Sequence, residues 1–290
     1  MFSQTKPIPY QHFSLLNHIQ LSIKRLDCVH PTISGNKFFK LKYNFQHAQQ
    51  LGYRRILSFG GAYSNHIFAL AHAAHEFGFK SIGIIRGAEL ALQPLNPHLQ
   101  SVHELGMQLD FISRTDYRRK NDADYLALLQ QQYPDAYIIP EGGSNLLAVQ
   151  GCSEILSLAD RQRYDVICCA VGTGGTIAGI INASHHQQYV LGFAALKGDF
   201  LGTEIKKWTN KTNWTVISDE TFGGYAKYSV QLLDFINEAK RQYQLPLEPI
   251  YTGKAFYQLM QRIQQGKFCS GTRILFIHTG GLHPFTSQLK

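Results

Sequence analysis

Acidic residues are scarce in this chain. It has 20 Asp and Glu against 28 Lys and Arg, a formal net charge of +8 over 290 residues. Such an excess favours anionic ligands, but the basic residues are scattered. Only small groups such as Lys206-Lys207 and Arg118-Arg119-Lys120 break the dispersion, and no block interleaves them with aromatics as a nucleic-acid partner requires. Long apolar runs are missing too: none approaches the roughly 18 residues of a membrane span. The opening MFSQTKPIPYQHFSLLNHIQ has no basic start, continuous apolar core or small-residue cleavage site of a secretory signal. Cysteine is limited to Cys28, Cys152, Cys168, Cys169 and Cys269, with no CxxC pair, and two of them adjoin inside an apolar run. Reduced thiols and a cytoplasmic location are therefore expected. The thirteen histidines are dispersed. His66, His72 and His75 share one predicted helix but have neither HExxH nor a carboxylate at ligand spacing, so no metal centre is expected.

What is present is alternation. Short apolar runs at 55–59 (RILSF), 80–86 (KSIGIIR), 107–113, 136–141, 165–172 (DVICCAVG), 189–196, 214–218 and 273–280 (RILFIHTG) read as strands. Between them lie helical stretches, among them NHIFALAHAAHEFG, NLLAVQGCSEILSLAD and YSVQLLDFINEAKRQYQ, and Gly78 and Gly106 fall where helices end. Nearly all-apolar strands separated by helices imply parallel sheets covered on both faces, an α/β fold. In such sheets ligands collect where strand ends lead into helix N-termini.

Two of those junctions stand out. After RILSF comes GGAYSNH, whose glycines admit close backbone approach and whose Ser64 or Asn65 caps a helix. Alone, it fits an ordinary capped turn equally well. After DVICCAVG, the run Gly172-Thr173-Gly174-Gly175-Thr176 opens another helix, and such a turn can cradle a phosphate with backbone N–H groups. A plain glycine-rich βα turn is the alternative. No lysine follows to make GxxxxGK[ST], Ile177 occupies the last glycine position of GxGxxG, and no acidic residue ends the next strand to hold a ribose. A phosphate site without a nucleotide signature points to a smaller phosphorylated cofactor. Lys37, set in the turn SGNKFFKLKY, adds an amine. Amine, phosphate turn and Ser-Asn helix start together suggest pyridoxal 5'-phosphate.

The segments SGNKFFKLKY, SFGGAYSNH, PEGGSNLLAVQGCSEI, VGTGGTIAG, YTGK and HTGG, in order from about Ile23 to Gly281, resemble the pyridoxal-phosphate enzymes grouped as D-cysteine desulfhydrase and 1-aminocyclopropane-1-carboxylate (ACC) deaminase. The resemblance implies the fold-type II architecture of the tryptophan synthase β-subunit, two three-layer α/β domains with mostly parallel sheets. A large domain from residues 1–40 and 147–290 would carry an inserted small domain at 41–146. Lys37 matches the family's Schiff-base lysine, and Ser64 its acid/base or nucleophilic serine. Asn65 matches the partner of the cofactor's ring hydroxyl, and Gly172, Thr173, Gly174, Gly175 and Thr176 the phosphate loop. Tyr225 in FGGYAK and Tyr251 in YTGK match tyrosines bordering the substrate, and Thr279 falls where a hydroxyl reaches the pyridine nitrogen. The substrate carboxylate is expected at Ser64, Asn65 and His66. A homodimer acting on a small amino acid, without nucleic-acid or membrane partner, is implied.

Members acting on ACC tend to carry YEGK and HLGG, where this chain has Thr252 and Thr279. A carboxylate beside the pyridine nitrogen makes a strong electron sink, as ring opening requires. A neutral hydroxyl suffices when a good leaving group sits on Cβ. The expectation is therefore β-elimination on a D-amino acid, converting D-cysteine and water to pyruvate, sulfide and ammonia. Lys37, together with Ser64, would take the Cα proton, and Tyr251 would donate to the leaving group. ACC deamination and a non-catalytic cofactor-binding homologue are the alternatives. Phe39 and Leu26 depart from the family's frequent arginine and acidic residue, and the N-terminal segment is short.

Overall fold

The computed structural model describes residues 1–2, 7–195, 200–218, 222–224 and 227–282. Its strands, in chain order, are β1 (Tyr10–Ser14), β2 (Gln20–Arg25), β3 (Arg55–Gly60), β4 (Lys80–Arg86), β5 (Met107–Ile112), β6 (Ala136–Ile139), β7 (Val166–Val171), β8 (Tyr189–Ala194), β9 (Trp214–Ile217) and β10 (Arg273–His278). They form a six-stranded sheet of order β1-β2-β10-β7-β8-β9 and a four-stranded sheet of order β5-β4-β3-β6. Every pairing is parallel except β1 with β2.

The all-apolar central strands behave as their composition demands. Alternate residues of β7 and β10 enter different cores: Ile167, Cys169, Leu275 and Ile277 pack on one face, Cys168, Ala170, Ile274 and Phe276 on the other. All eight strands anticipated from sequence form: 80–86 in full, 55–59 with Gly60 added, and the others ending one or two residues short, 165–172 also starting one residue late; Leu196 lies outside the described residues. Two strands escaped the apolar pattern. β1 and β2 interleave polar residues, and these are accommodated by tertiary partners. Ser22 Oγ lies 2.8 Å from His12 Nδ1, and the buried Lys24 ammonium lies 2.7 Å from the Asp160 carboxylate. The single helix expected over 145–160 is in fact two, Leu146–Ser153 and Leu158–Arg163. Ser157 breaks it by forming a reciprocal cap with Asp160, which outcompetes continuation of the first helix.

The helix Asn36–Gln50 leaves the six-stranded sheet and leads to the four-stranded one. Its departure point is fixed by a glycine: Gly35 has φ +70°, and any Cβ there would collide with the Thr279 carbonyl. Asn36 N donates to that same carbonyl at 3.0 Å, so the SGNK and HTGG turns are stitched together. Both family departures are core positions here. Leu26 is fully buried, and Phe39 packs edge-on to Phe38 at 5.5 Å. In each sheet the strand order reverses at one place, beside β3 and between β7 and β10. The turns that follow those strands are GGAYSN, GTGGT and TGG.

Candidate active site

Those turns enclose a cavity of about 310 Å³, within the range of small-molecule sites. Lys37 and Lys40 face it from the first turns of the Asn36–Gln50 helix, three residues apart and so on one face. The Lys37 ammonium donates to Asn36 Oδ1 at 3.2 Å. Burial lowers it to about 8, with the Cys152 thiol and the Glu248 carboxylate acting in the opposite direction. Lys40 Nζ donates to the Gly142 carbonyl and Ser144 Oγ, both at 2.7 Å, and to Thr173 Oγ1 at 3.3 Å. Burial, then the charge of Lys37, lowers it to about 7.

Lys40 thus stands beside the glycine-rich turn, which is itself cross-braced. Thr173 Oγ1 lies 2.5 Å from Ser144 Oγ, and Thr176 Oγ1 accepts from Asn36 Nδ2 at 2.8 Å. Gly174 adopts φ +86° just before the helix Gly175–Ala183, aiming that helix start at the cavity. Sequence reasoning passed over Lys40. The available signal was its helical spacing from Lys37.

Across the cavity, Ser64 caps the helix Asn65–Phe77, its oxygen accepting from Ile67 N at 3.3 Å. Its hydroxyl hydrogen is uncommitted among the described residues. His66 is buried, and burial, with Lys37 and Lys40 adding to it, holds its ring well below the usual imidazole range, hence neutral. Ser58 Oγ donates its one hydrogen to the Ile139 carbonyl at 2.7 Å, so at 2.8 Å it must accept from His66 Nε2. The Nδ1 atom is left a bare acceptor with no partner among the described residues. The Asn65 amide lies against Gly281 in the HTGG turn.

At the far end, Tyr251 packs its ring on Gly172, where a Cβ would lie 3.2 Å from it, and Thr279 lines the cavity with a hydroxyl that makes no hydrogen bond among the described residues. Of the residues anticipated from sequence, Lys37, Ser64, Asn65, His66, Gly172, Thr173, Gly174, Thr176, Tyr251 and Thr279 come together here. Gly175 and Thr252 do not line the cavity. The Thr252 hydroxyl instead donates to Glu248 Oε1 at 3.0 Å, because the residue after Tyr251 enters a helix and turns away from it. Tyr225 lies outside the described residues. Glu248, also unanticipated, is a buried carboxylate bound by the backbone N–H groups of Ile250, Tyr251 and Thr252. Burial raises its carboxyl while those bonds oppose the shift.

This donor set suits pyridoxal phosphate. It offers a lysine amine that deprotonates near neutrality, a lysine with two hydroxyls at a helix start for the phosphate, and an unbonded hydroxyl for the ring nitrogen. Ala170, Val171 and Ile177 add an apolar wall.

Comparison with known proteins bears on the same chemistry. A family model described as "Pyridoxal-phosphate dependent enzyme" matches residues 3–280. A Thermotoga maritima protein carrying the provisional name 1-aminocyclopropane-1-carboxylate deaminase is 29% identical, over 98% of this chain and 97% of its own. A mitochondrial Arabidopsis thaliana protein named as a bifunctional D-cysteine desulfhydrase and ACC deaminase is 30% identical, over 97% of this chain and 80% of its own. A crystal structure of an ACC deaminase homologue superposes with a TM-score of 0.84 at 25% identity, covering 99% of this chain and 94% of the other.

Proposed function

Since the chain belongs to the pyridoxal-phosphate dependent enzyme family, we propose that it is a lyase performing β-elimination on a small D-amino acid. With D-cysteine, one water is consumed and pyruvate, hydrogen sulfide and ammonia are released. The observation that carries this reading is Thr279: the cavity end expected to meet the pyridine nitrogen offers a neutral hydroxyl. The nearby carboxylate, Glu248, is not part of the cavity wall and is occupied by three backbone N–H groups and Thr252. A hydroxyl supports a weaker electron sink, matched to a substrate whose Cβ already carries a good leaving group.

Pyridoxal phosphate, when bound, supplies a conjugated ring that accepts the electron pair left by the Cα proton. The phosphate would be held by Lys40, Thr173 and the Gly175–Ala183 helix start. Lys37 would both hold the cofactor and serve as the base, since burial lowers its amine to about 8, where half of it is neutral. The substrate carboxylate would meet the Ser64 hydroxyl and the N-terminus of the Asn65–Phe77 helix. Tyr251, on the opposite wall, would donate to the departing sulfur. The division into a small domain at 41–146 and a large one from 1–40 and 147–290 belongs to this reading. It is supported by the four-stranded sheet lying wholly within 55–139.

ACC deamination is the second reading, favoured by the name of the Thermotoga relative, while the name of the Arabidopsis relative carries both activities. The test is an absorbance spectrum of the purified protein, followed by D-cysteine, L-cysteine and ACC in separate assays for sulfide and keto acid. Yellow protein with sulfide and pyruvate from D-cysteine alone is expected. Keto acid from ACC would replace the first reading by the second. A yellow protein inert to all three would point to another D- or L-amino acid or to a non-catalytic cofactor-binding homologue, and one that stays colourless with added cofactor would end both.

A further inference from the structure

The proposed chemistry accounts for the cavity's charges with one exception. In that reading Lys40 serves the phosphate turn, Lys37 the reacting carbon, and the Asn65–Phe77 helix start the α-carboxylate. Glu141, the acidic residue of the lining, is already engaged: its carboxylate accepts from Tyr117 Oη at 2.5 Å and pairs with Lys120 at 3.4 Å. Arg86 remains. It is the last residue of β4, so it emerges at the carboxyl edge where ligands of a parallel sheet collect, and it lines the cavity. Its guanidinium stacks over the Tyr117 ring at 5.6 Å, and a Cβ on Gly61 would lie 3.5 Å from its Nη2 atom. Among the described residues it makes no hydrogen bond or ion pair. The neighbouring Glu89 is taken by Arg114 at 2.7 Å.

We propose that this cavity also takes amino acids whose side chain carries a second anionic group, and that Arg86 receives it. The inference rests on the amino-acid reading given above and extends its substrate class beyond D-cysteine to side chains ending in a carboxylate, sulfonate or phosphate. Two features favour a ligand over a solvated surface cation. The ring of Tyr117 holds the planar fork in place without consuming its five donors. Gly61 leaves space in front of Nη2, so a ligand oxygen can approach along the same turn that leads into Ser64. A planar guanidinium binds carboxylate or phosphate oxygens two at a time, which an ammonium at this position would not do. Arg86 is exposed, so its effect is moderated by solvent.

The experiment compares D-aspartate with D-alanine, which differ by the second carboxylate and lack a leaving group. Affinities are measured by calorimetry on the protein as purified with its cofactor, for wild type, Arg86→Gln and Arg86→Lys. Among the described residues the Arg86 side chain makes no hydrogen bond or ion pair, and its backbone pairing in β4 does not depend on the side chain, so the exchange should leave the fold in place. Wild type is expected to bind D-aspartate at least about tenfold more tightly than D-alanine. Arg86→Gln should abolish that preference while leaving D-alanine unchanged, and Arg86→Lys should keep part of it. Equal affinity of wild type for the two, or a loss in Arg86→Gln shared by D-alanine, overturns the proposal. Failure of the parent reading is seen separately, as absence of cofactor absorbance in the same preparation.

Discussion

The two lysines of the site differ in what their titration does. Lys40 sits near 7 because burial and Lys37 both oppose its charge. An anion bound beside it favours the protonated form, so anion binding above pH 7 takes up a proton. Sulfate does not titrate in this range and isolates the effect. Its affinity for cofactor-free protein should fall as pH rises from 6.5 to 8.5, approaching tenfold per unit above the Lys40 value, and calorimetry in buffers of different ionisation enthalpy should register proton uptake. Lys40→Met should weaken binding throughout and flatten the pH dependence; a sloped profile in that variant would assign the proton elsewhere. Lys37 has the opposite consequence, because its reactive form is the neutral amine. With the value lowered to about 8, roughly a tenth of the chains carry that form at pH 7. The rate of colour development with added pyridoxal phosphate should therefore climb with pH and level off above 8. Lys37→Ala should yield no stable colour and almost no keto acid, whereas Ser64→Ala should lose about 10²- to 10⁴-fold in turnover, the span of one positioned acid/base group.

Elements whose pattern is self-sufficient were legible in the sequence, and those completed by distant partners were not. β7 and β10 are apolar throughout and need no partner to declare themselves, and the turns after β3, β7 and β10 announce their chemistry by glycine and hydroxyl content. β2 conceals itself because its QLSIKR contains a lysine whose counter-ion lies 136 residues away. Lys40, Glu248 and Arg86 stayed hidden for the same reason, since each acquires meaning only from residues remote in the chain. Thr252 was misplaced by adjacency: neighbours in a motif diverge by about 100° once the motif enters a helix. The Asp160 carboxylate makes the dependence on distant partners measurable. It takes the Lys24 ammonium, the Tyr10 hydroxyl at 2.9 Å and Ser157 N at 2.9 Å, joining β1, β2 and the Leu158–Arg163 helix. Asp160→Ala strands a buried ammonium and removes one half of a reciprocal helix cap, so a loss of about 3–5 kcal/mol in denaturant unfolding is expected. A loss below about 1 kcal/mol would show that Lys24 finds solvent and that the ion pair does not anchor these strands.

At the scale of the molecule, the site is assembled from both sheets. Gly172, Tyr251 and Thr279 belong to the six-stranded side, Ser64, Asn65 and His66 to the four-stranded side, and the Asn36–Gln50 helix with its two lysines passes between them. Lys40 ties the sides directly, since its ammonium holds Gly142 and Ser144 after β6 together with Thr173 after β7. A ligand spanning this cavity recognises only the folded arrangement and must stabilise it by mass action. At free cofactor about a thousand times its dissociation constant, that amounts to about 4 kcal/mol. For a chain of this length each kcal/mol moves the thermal midpoint by about 2–4 °C, so cofactor should raise it by on the order of 10 °C. Stripping the cofactor with hydroxylamine and dialysing should return the lower midpoint, and re-addition should restore the higher one. Lys37→Ala should retain a smaller increment, because the proposed phosphate contacts would survive loss of the lysine. Lys40→Met should lose the part carried by the phosphate. A midpoint indifferent to cofactor in the wild type would mean that the group does not bridge the two sheets, and the cavity between them would then need another occupant.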